Sequence, residues 1–260
     1  MRRLLILLAC VLAAAPVLAQ TESVVEIESR GQKIRALLTK PANPVGSVIL
    51  IAGGHGILSI SPQGMIGWGR GNQLVRTRAL YAAAGFATLV PDAAPDMGTP
   101  KNPRDGYRFS APHGQDIGAL VRYMRGIKTP VALVATSRGA LTVGVALANT
   151  AGPARPDAVV MTAPMLMPVG NQPSFHRAIG GDPGRARLPL LIVGHKKDAC
   201  QYTNASVIER FKSWHGQAQV IVLDGPAGSG DPCEALSAHG FFGIDGQIVS
   251  TVTGWIRSRN

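Results

Sequence analysis

Short apolar runs alternate with segments of helical spacing along most of this chain, and this alternation is the feature that most restricts its fold. The runs include VILIA, FATLV, VALVA, AVVM and PLLIV. A strand that is apolar throughout is buried on both faces, which is typical of a parallel sheet covered by helices. From residue 46 to the end, the sequence therefore predicts an α/β fold with helices on both faces of a mostly parallel central sheet.

The domain organisation follows from the same pattern. A chain of 260 residues is long enough for one large domain or two small ones, but its sequence contains neither an internal repeat nor a linker. We therefore predict a single domain over residues 20–260, which opens with two strands joined at Arg30-Gly31. The irregular segment 166–187 interrupts the alternation and is the candidate for a short lid.

Residues 1–19 have the features of a secretory signal peptide. Arg2 and Arg3 precede an apolar run, and Val17–Ala19 offers a cleavage site before a polar residue. A membrane anchor is the alternative, but the run is short for a membrane span. Lipidation of Cys10 is a weaker alternative, because few apolar residues precede this cysteine. We expect a periplasmic or secreted protein with no stable membrane insertion after cleavage.

The chain is basic, with 26 Lys and Arg against 15 Asp and Glu and a formal net charge of +11. Such a balance first suggests nucleic-acid binding. However, the basic residues are scattered, and the sequence has neither a basic run interleaved with aromatic residues nor a groove-reading motif. We therefore expect no nucleic-acid partner, and the sequence leaves the oligomeric state open.

Two cysteines, Cys200 and Cys233, follow the predicted signal peptide. In an oxidising compartment such a pair indicates one disulfide. Metal binding is the alternative, because His195 and Asp198 lie close to Cys200 in the sequence. Their spacing matches no established zinc motif, so we predict no metal site and no cofactor.

One apolar run ends abruptly at polar residues. The stretch VALVATSRGALTVGVALA, residues 131–148, has TSRG near its centre. The simplest interpretation is a strand-to-helix turn in which Ser137 caps the helix. The alternative is the nucleophile elbow G-x-S-x-G, with Ala135 in place of the first glycine. Functional groups gather at the carboxyl ends of parallel strands, and Ser137 has this position, so we predict that it is a nucleophile.

The base is predicted from chain order, because in such a site the acid and then the histidine follow the serine. Four of the six histidines come after Ser137: His176, His195, His215 and His239. His239 follows the last predicted strand, at the start of the last helix, where a base can reach the serine. We predict that His239 is the base, and a histidine that only caps the last helix is the alternative.

Asp198 is the predicted acid, since it is the first carboxylate after the strand LPLLIVGH. An acid at this position would fix the tautomer of His239 and stabilise its imidazolium form. Asp224, at the end of the next strand, is the second candidate. Glu209 lies in the middle of a predicted helix and fits a surface residue better.

The site also needs donors for a developing oxyanion. We predict the N–H of Arg138 as one donor, since it is next to the nucleophile. The other would come from the loop GGHGI, in which Gly54, His55, Gly56 and Ile57 are the candidates. Glycines let a backbone approach a substrate oxygen closely. An ordinary tight turn is one alternative, and a phosphate cradle is another, although no Lys-Ser/Thr pair follows the glycines.

Together these features resemble the α/β-hydrolase family over essentially the whole chain after residue 19. The stretches ATSRG, GGHGI, HKKDAC and SGDPCEALSAHGFFG fall where that family has its functional loops. The chain looks most like an exported bacterial branch of serine hydrolases and esterases. Ala135 in place of glycine is a mild departure, and the short candidate lid argues against a lipase with a bulky lid.

The resemblance implies a serine hydrolase that cleaves a carboxylic ester or a related acyl compound through an acyl-enzyme on Ser137. Its partner would be a small-molecule acyl substrate. A disulfide between Cys200 and Cys233 would then join the acid loop to the base loop. A non-catalytic ligand-binding protein on the same scaffold is the alternative, because the family includes members that have lost catalysis.

The sequence leaves the substrate open. Arg76, Arg78, Arg108 and Arg138 are candidates for binding an anionic acyl group, but arginines in loops are usually solvated. Esters, thioesters, lactones and amides are not separated by the residues alone.

Overall fold

The structure, a computed structural model, describes residues 21–203 and 205–259. The predicted signal peptide and Cys10 lie outside the described residues. Within those residues, no helix is both long and apolar enough to span a membrane.

Eight strands form one sheet in the order β1-β2-β4-β3-β5-β6-β7-β8. The strands are β1 (Glu22–Ser29), β2 (Gln32–Thr39), β3 (Gly46–Ile51), β4 (Phe86–Pro91), β5 (Val131–Thr136), β6 (Ala158–Thr162), β7 (Leu190–His195) and β8 (Gln219–Leu223). The α-helices are α1 (Gln73–Arg76), α2 (Arg78–Ala83), α3 (Ala111–Ile127), α4 (Gly139–Asn149), α5 (Phe175–Ala178), α6 (Ala205–His215) and α7 (Asp245–Arg257).

The sheet is mostly parallel, as predicted. Only β2 pairs in antiparallel fashion, with β1 on one side and β4 on the other, and every later pair is parallel. The first two strands form the expected hairpin, because Arg30 and Gly31 both have positive φ, at 50° and 73°. Two central residues with positive φ form the tight turn that suits the twist of a hairpin.

Alternate residues of the central strands point to opposite faces of the sheet, and each face has its own apolar core. On β3, Ile49 and Ile51 belong to the core covered by α3, α4, α5 and α6. Val48 and Leu50 belong to the core on the other face, covered by α1, α2 and α7. Helices therefore cover both faces, which is why the strand sequences are apolar throughout.

The order of the central strands determines where a site can form. The chain runs from β3 to β4 on one side and then crosses to β5 on the other side of β3. Where connections reverse in this way, the loops after the two strands diverge and leave a crevice at the carboxyl edge of the sheet. The crevice here lies between the loop after β3 and the turn after β5.

The segment NQLVRTRALYAAAGF, which its apolar spacing predicts as one helix, forms two short helices, α1 and α2. The break is at Thr77, whose ψ is 0°. The Thr77 hydroxyl donates to the carbonyl of Gln73 at 2.7 Å, a backbone interaction that bends helices. Thr77 is buried, so its hydroxyl finds a partner only within its own turn.

The candidate lid, segment 166–187, is attached to the core. Phe175, Ile179 and Ala186 are fully buried in the apolar cluster beneath α4. None of the residues of this segment lines the cavity beside Ser137. The segment therefore packs as part of the α3–α6 layer and does not cover that cavity.

Candidate active site

Ser137 occupies the sharp turn between β5 and α4. Its φ is +52°, a left-handed conformation that costs a non-glycine residue about 1–3 kcal/mol. The end of β6 holds this conformation from both sides. The N–H of Ser137 donates to the carbonyl of Thr162 at 3.0 Å, and the Ser137 carbonyl accepts from the N–H of Met165 at 3.0 Å.

The helix after the turn starts without a side-chain cap, so the simpler interpretation of Ser137 as a helix cap is not what the structure shows. The capping position of α4 is Arg138, and no side chain there accepts a helix N–H. Gly139 allows the turn to pass close to β3, because a Cβ at this position would lie 3.1 Å from the carbonyl oxygen of Ile51. The Ser137 side chain is thus free to face the crevice.

Asp198 and His239 form a buried pair at the same edge of the sheet. The His239 Nδ1 lies 3.1 Å from Asp198 Oδ2, and the two side chains are only 5% and 6% exposed. Asp198 follows β7 by three residues, and His239 lies in a single 3₁₀ turn, Ala238–Gly240, before α7. Since α7 starts only at Asp245, the alternative that His239 caps this helix does not hold.

Thr203 and the backbone hold Asp198 in place. The Thr203 hydroxyl donates to Asp198 Oδ2 at 2.7 Å, and the N–H of Cys200 donates to Oδ1 at 2.9 Å. Burial raises the pKa of Asp198, but the hydrogen bonds from His239, Thr203 and Cys200 outweigh this effect and hold the pKa below its usual value. Asp198 therefore stays ionised near neutral pH and can stabilise a protonated His239.

Asp224, the second candidate for the acid, is at the surface. Its side chain is 55% exposed and lies 3.3 Å from the ammonium of Lys196 and 3.9 Å from that of Lys197. Asp224 forms no contact with His239 among the described residues. Glu209 is exposed on α6, as the sequence indicates.

The predicted disulfide between Cys200 and Cys233 is present, with a Cα–Cα distance of 4.6 Å. It joins the loop that carries Asp198 to the loop that leads into His239. The metal alternative loses its thiolate, because the Cys200 sulfur is bonded to Cys233. His195, the other residue of that alternative, ends β7 and packs its ring against Phe241 at 5.7 Å between centroids.

Two of the five predicted oxyanion-site residues line the cavity beside Ser137: Gly54 and Arg138. No acceptor among the described residues takes the N–H of either one. Gly53 also lies against the nucleophile, since a Cβ on it would be 3.1 Å from the Ser137 Cβ. Backbone donors without partners next to a serine are suited to bind a developing oxyanion.

The other three, His55, Gly56 and Ile57, are not among the described residues that line this cavity. His55 faces a smaller adjacent cavity, and its Nδ1 accepts the N–H of Ile57 at 3.1 Å. Ile57 is buried in the core. Gly56 lies against the guanidinium of Arg108, where a Cβ would be only 1.8 Å from Nη2. The close approach of the Arg108 side chain therefore accounts for a glycine at position 56.

Arg108 clamps the loop after β3 through hydrogen bonds from its guanidinium to backbone carbonyls. Its Nη2 donates to the carbonyls of Ala52 and Gly53 at 2.6 and 3.0 Å, and its Nε donates to the carbonyl of His55 at 3.2 Å. Nη1 donates to the Thr142 hydroxyl on α4 at 2.9 Å. Because the carbonyl oxygens of Ala52, Gly53 and His55 point toward Arg108, the orientation of the peptides in this loop is fixed.

The charge of Arg108 is unusual because it is buried. Arg108 is 5% exposed, and no carboxylate among the described residues forms an ion pair with it. Burial lowers its pKa from the usual value. A buried charge without a counterion is costly; the backbone carbonyls, the Thr142 hydroxyl and the Tyr107 ring, whose centroid lies 6.0 Å from Cζ, stabilise this guanidinium. Its positive charge lies directly behind the Gly53–Gly54 backbone.

The other three candidate arginines, Arg76, Arg78 and Arg138, differ in whether they form ion pairs. Arg76 pairs with Asp245 at 2.8 Å, and Arg78 pairs with Glu22 at 2.6 Å. Arg138 alone among the four lines the cavity of Ser137, and its side chain has no ion pair within the described part of the chain. Arg138 also lines the smaller cavity beside His55, so it borders both cavities.

The cavity itself measures about 520 Å³. Its walls come from the loop after β5, the segment before α1, and the two loops joined by the disulfide. The lining residues that bear on the chemistry are Gly54, Trp68, Ser137, Arg138 and His239. Because Asp198 holds His239 Nδ1, Nε2 is the ring nitrogen left for the cavity that Ser137 also lines. A groove of about 540 Å³ beside Arg30 and Arg122 has no histidine in its lining, and the hydroxyl of its Ser29 donates to Asp116 at 2.6 Å.

Sequence reasoning missed two residues of this site, Thr203 and Trp68, and named a third, Arg108, only as a candidate for binding an anion. Thr203, which contacts both Asp198 and His239, follows the acid by five positions without any motif. Arg108 looks like a solvated arginine in a loop rich in proline and glycine. Trp68, which stacks on His55 at 3.7 Å between centroids, lies before the first helix with no pattern around it. Only the tertiary structure brings them to the site.

Comparison with known proteins identifies the fold. The sequence matches no protein-family model and no curated protein sequence. Among solved structures, a dienelactone hydrolase from Anabaena variabilis matches with a TM-score of 0.61 at 16% identity, over 92% of this chain and 98% of its own. An α/β serine hydrolase homologue from Coxiella burnetii matches with a TM-score of 0.60 at 13% identity, over 92% and 99%.

The chain has the α/β-hydrolase fold. A third structure of this fold, Est1E from Butyrivibrio proteoclasticus with bound ferulic acid, matches with a TM-score of 0.62 at 16% identity, over 90% of this chain and 98% of its own. In the G-x-S-x-G arrangement found on this fold, the acid and then the histidine follow the serine along the chain. Ser137, Asp198 and His239 follow β5, β7 and β8 in that order.

The disulfide of this α/β-hydrolase fold should contribute measurably to stability. Closing a loop between residues 33 positions apart is expected to add about 3–4 kcal/mol through the entropy of the unfolded chain. We expect reduction to lower Tm by about 10 °C. Differential scanning calorimetry with and without a reductant measures the shift, and Cys200→Ser/Cys233→Ser is the control that should not respond. An unchanged Tm after complete reduction would contradict this account.

Proposed function

We propose that this protein is a serine hydrolase that cleaves a carboxylic ester or a related acyl compound through an acyl-enzyme on Ser137. The observation that carries the proposal is the buried Asp198–His239 pair, at 3.1 Å, beside a cavity that the elbow serine also lines. A structural ion pair has no need of a cavity, and a helix turn has no need of a strained serine. Their combination is what nucleophilic catalysis requires.

The first half of the proposed reaction forms the acyl-enzyme. The Ser137 Oγ attacks the carbonyl carbon of the substrate while His239 Nε2 takes the hydroxyl proton. The carbonyl oxygen becomes negative and accepts hydrogen bonds from the N–H groups of Gly54 and Arg138. The tetrahedral intermediate then collapses, and His239 gives its proton to the departing alkoxide or phenoxide oxygen.

The second half releases the acid. A water molecule gives a proton to His239 Nε2 and attacks the acyl carbon, which again develops a negative oxygen at Gly54 and Arg138. Collapse breaks the bond to Ser137, and His239 returns the proton to the serine oxygen. Throughout, Asp198 remains ionised and hydrogen-bonded to His239 Nδ1, which fixes the ring so that Nε2 faces the serine.

Two observations support a choice of acyl compounds to test as substrates. Structures with the same fold include a dienelactone hydrolase and Est1E with bound ferulic acid, so small carboxylic esters and lactones are the first substrates to test. Arg138 lines the cavity and has no ion pair among the described residues, which supports substrates that carry an anionic group. Neither a cofactor nor a metal takes part in these steps.

The export of the protein is part of the proposal. We propose that residues 1–19 are cleaved and that the remaining chain, 20–260, is a single domain in the periplasm or outside the cell. The Cys200–Cys233 disulfide supports an oxidising compartment. N-terminal sequencing of the protein recovered from a periplasmic extract should give a chain that starts near Gln20. A protein that retains Met1 and stays in the cytoplasm would contradict export.

A fluorophosphonate probe tests the nucleophile. We expect the probe to label wild-type protein once, on the peptide that contains Ser137. Ser137→Ala should lose both the label and all hydrolysis of short-chain aryl esters, with a stability change of no more than about 1–2 kcal/mol. A folded Ser137→Ala variant that still hydrolyses the esters would refute the assignment, whereas an unlabelled, inactive wild type would favour a binding protein.

The acid is tested by two matched variants. Asp198→Asn should lower kcat by about 10⁴-fold, because the amide would donate to Nδ1 and force the wrong tautomer of His239. Asp224→Asn should stay close to the parent, since its exposed pairs contribute little. Steady-state hydrolysis of an aryl ester gives both values, and loss of activity in Asp224→Asn alone would reverse the assignment.

The clamp by Arg108 is tested by its effect on turnover. Arg108→Gln and Arg108→Lys should each lower kcat by at least about 10-fold, with a smaller change in KM, because the loop loses its fixed orientation. Thr142→Val is the control, since it removes an Arg108 partner that lies outside the loop and should cost less in kcat. If Arg108→Gln remains folded with a normal kcat, the clamp has no role in positioning the Gly54 N–H.

A further inference from the structure

We propose that reduction of the Cys200–Cys233 disulfide turns the Asp198–His239 pair into a zinc site with the Cys200 thiolate as the third ligand. In its oxidised form the protein has no such site, because the sulfur is bonded to Cys233. The disulfide therefore does more than join two loops. It blocks, as a disulfide, the sulfur that lies beside the acid–base pair and could bind a metal ion.

The three donor groups are already gathered. A carboxylate oxygen of Asp198, the Cys200 Sγ and a ring nitrogen of His239 all lie within 4.8 Å of one another. Zinc bonds of 2.0–2.3 Å in a tetrahedron require donors about 3.3–3.8 Å apart. The Nδ1–Oδ2 distance of 3.1 Å is close to that separation. Small side-chain rotations after reduction would bring the sulfur to it.

The chemistry of the donor set suits zinc. Cysteine sulfur, histidine nitrogen and a carboxylate are the ligands that Zn²⁺ uses in proteins. Thiolate and carboxylate together supply two negative charges, which match the charge of the ion. Cys233 offers a second thiolate in the reduced protein, and solvent from the cavity can fill the remaining position in its absence. The ion reaches the site through the cavity that His239 lines.

Formation of the zinc site requires two steps, reduction of the disulfide and replacement of protons by the metal ion. A phosphine reductant and one water convert the disulfide to two thiols, and the phosphine becomes its oxide. Zinc then displaces the thiol proton of Cys200, which passes to the buffer. The ion also takes the place of the proton on His239 Nδ1, and the ring carries its proton on Nε2 instead, so the ligand remains a neutral imidazole. The bound ion replaces the hydrogen bond between Asp198 and His239, so the pair can no longer orient His239.

Two single variants separate this site from other zinc binding. Cys233→Ser leaves the Cys200 thiol free, whereas Cys200→Ser leaves the Cys233 thiol free and removes the central sulfur; both variants lack the disulfide to the same extent. With Zn²⁺ at about 100 times its dissociation constant, Tm of Cys233→Ser should rise by at least about 5 °C, and Tm of Cys200→Ser should hardly change. Co²⁺ in place of Zn²⁺ should give Cys233→Ser the near-ultraviolet absorption of a cobalt–thiolate bond.

Wild-type protein provides the second measurement and needs no substitution. The oxidised protein should show no cobalt–thiolate absorption, and phosphine-reduced protein should show it. Absence of the absorption in both reduced wild type and Cys233→Ser, or an equal zinc response in Cys200→Ser, overturns the proposal. Neither readout involves hydrolysis, so failure of the zinc site and failure of the serine-hydrolase mechanism are distinguishable.

Discussion

The backbone of Ser137 is the constraint on which the site depends. A serine at φ +52° is held against its preference, and the carbonyl of Thr162 and the N–H of Met165 stabilise it. These partners exist only because β6 pairs with β5 in a defined register, with Thr136 opposite Thr162. The parallel sheet therefore does more than bury apolar residues. Its register sets the direction in which one hydroxyl leaves the end of β5.

The other groups are brought to that hydroxyl by three loops, each with contacts that fix its position. Asp198 is held by Thr203 and by the Cys200 N–H, while His239 is held by its turn and by Asp198. The disulfide ties these two loops together. On the opposite wall, Arg108 fixes the loop after β3 through carbonyl oxygens. Small errors of position in such sites are costly for catalysis, and each loop here has its own buried anchor.

The sequence predicts the sheet well because burial on both faces leaves a direct trace in composition. It also predicts Ser137, Asp198 and His239 as candidates, since the fold imposes their order along the chain. It also names His55, Gly56 and Ile57, which do not line the cavity of Ser137, because a glycine beside a substrate and one beside a buried Arg108 look alike in a sequence. The long-range contacts of Thr203 and Arg108 depend on tertiary structure, and no local pattern encodes them.

The central claim is that Ser137 carries the acyl group of the substrate, and direct observation of that intermediate tests it. Protein mixed with an aryl acetate and quenched in acid within the first turnover is digested and analysed by mass spectrometry. The account predicts one added acetyl group on the peptide that contains Ser137. In Ser137→Ala, no molecule should carry this group. In Asp198→Asn, the acetylated fraction should rise if the substitution slows deacylation more than acylation. The account would be contradicted if the enzyme hydrolyses the ester while Ser137 is never acetylated, or if the acetyl group is found on another residue.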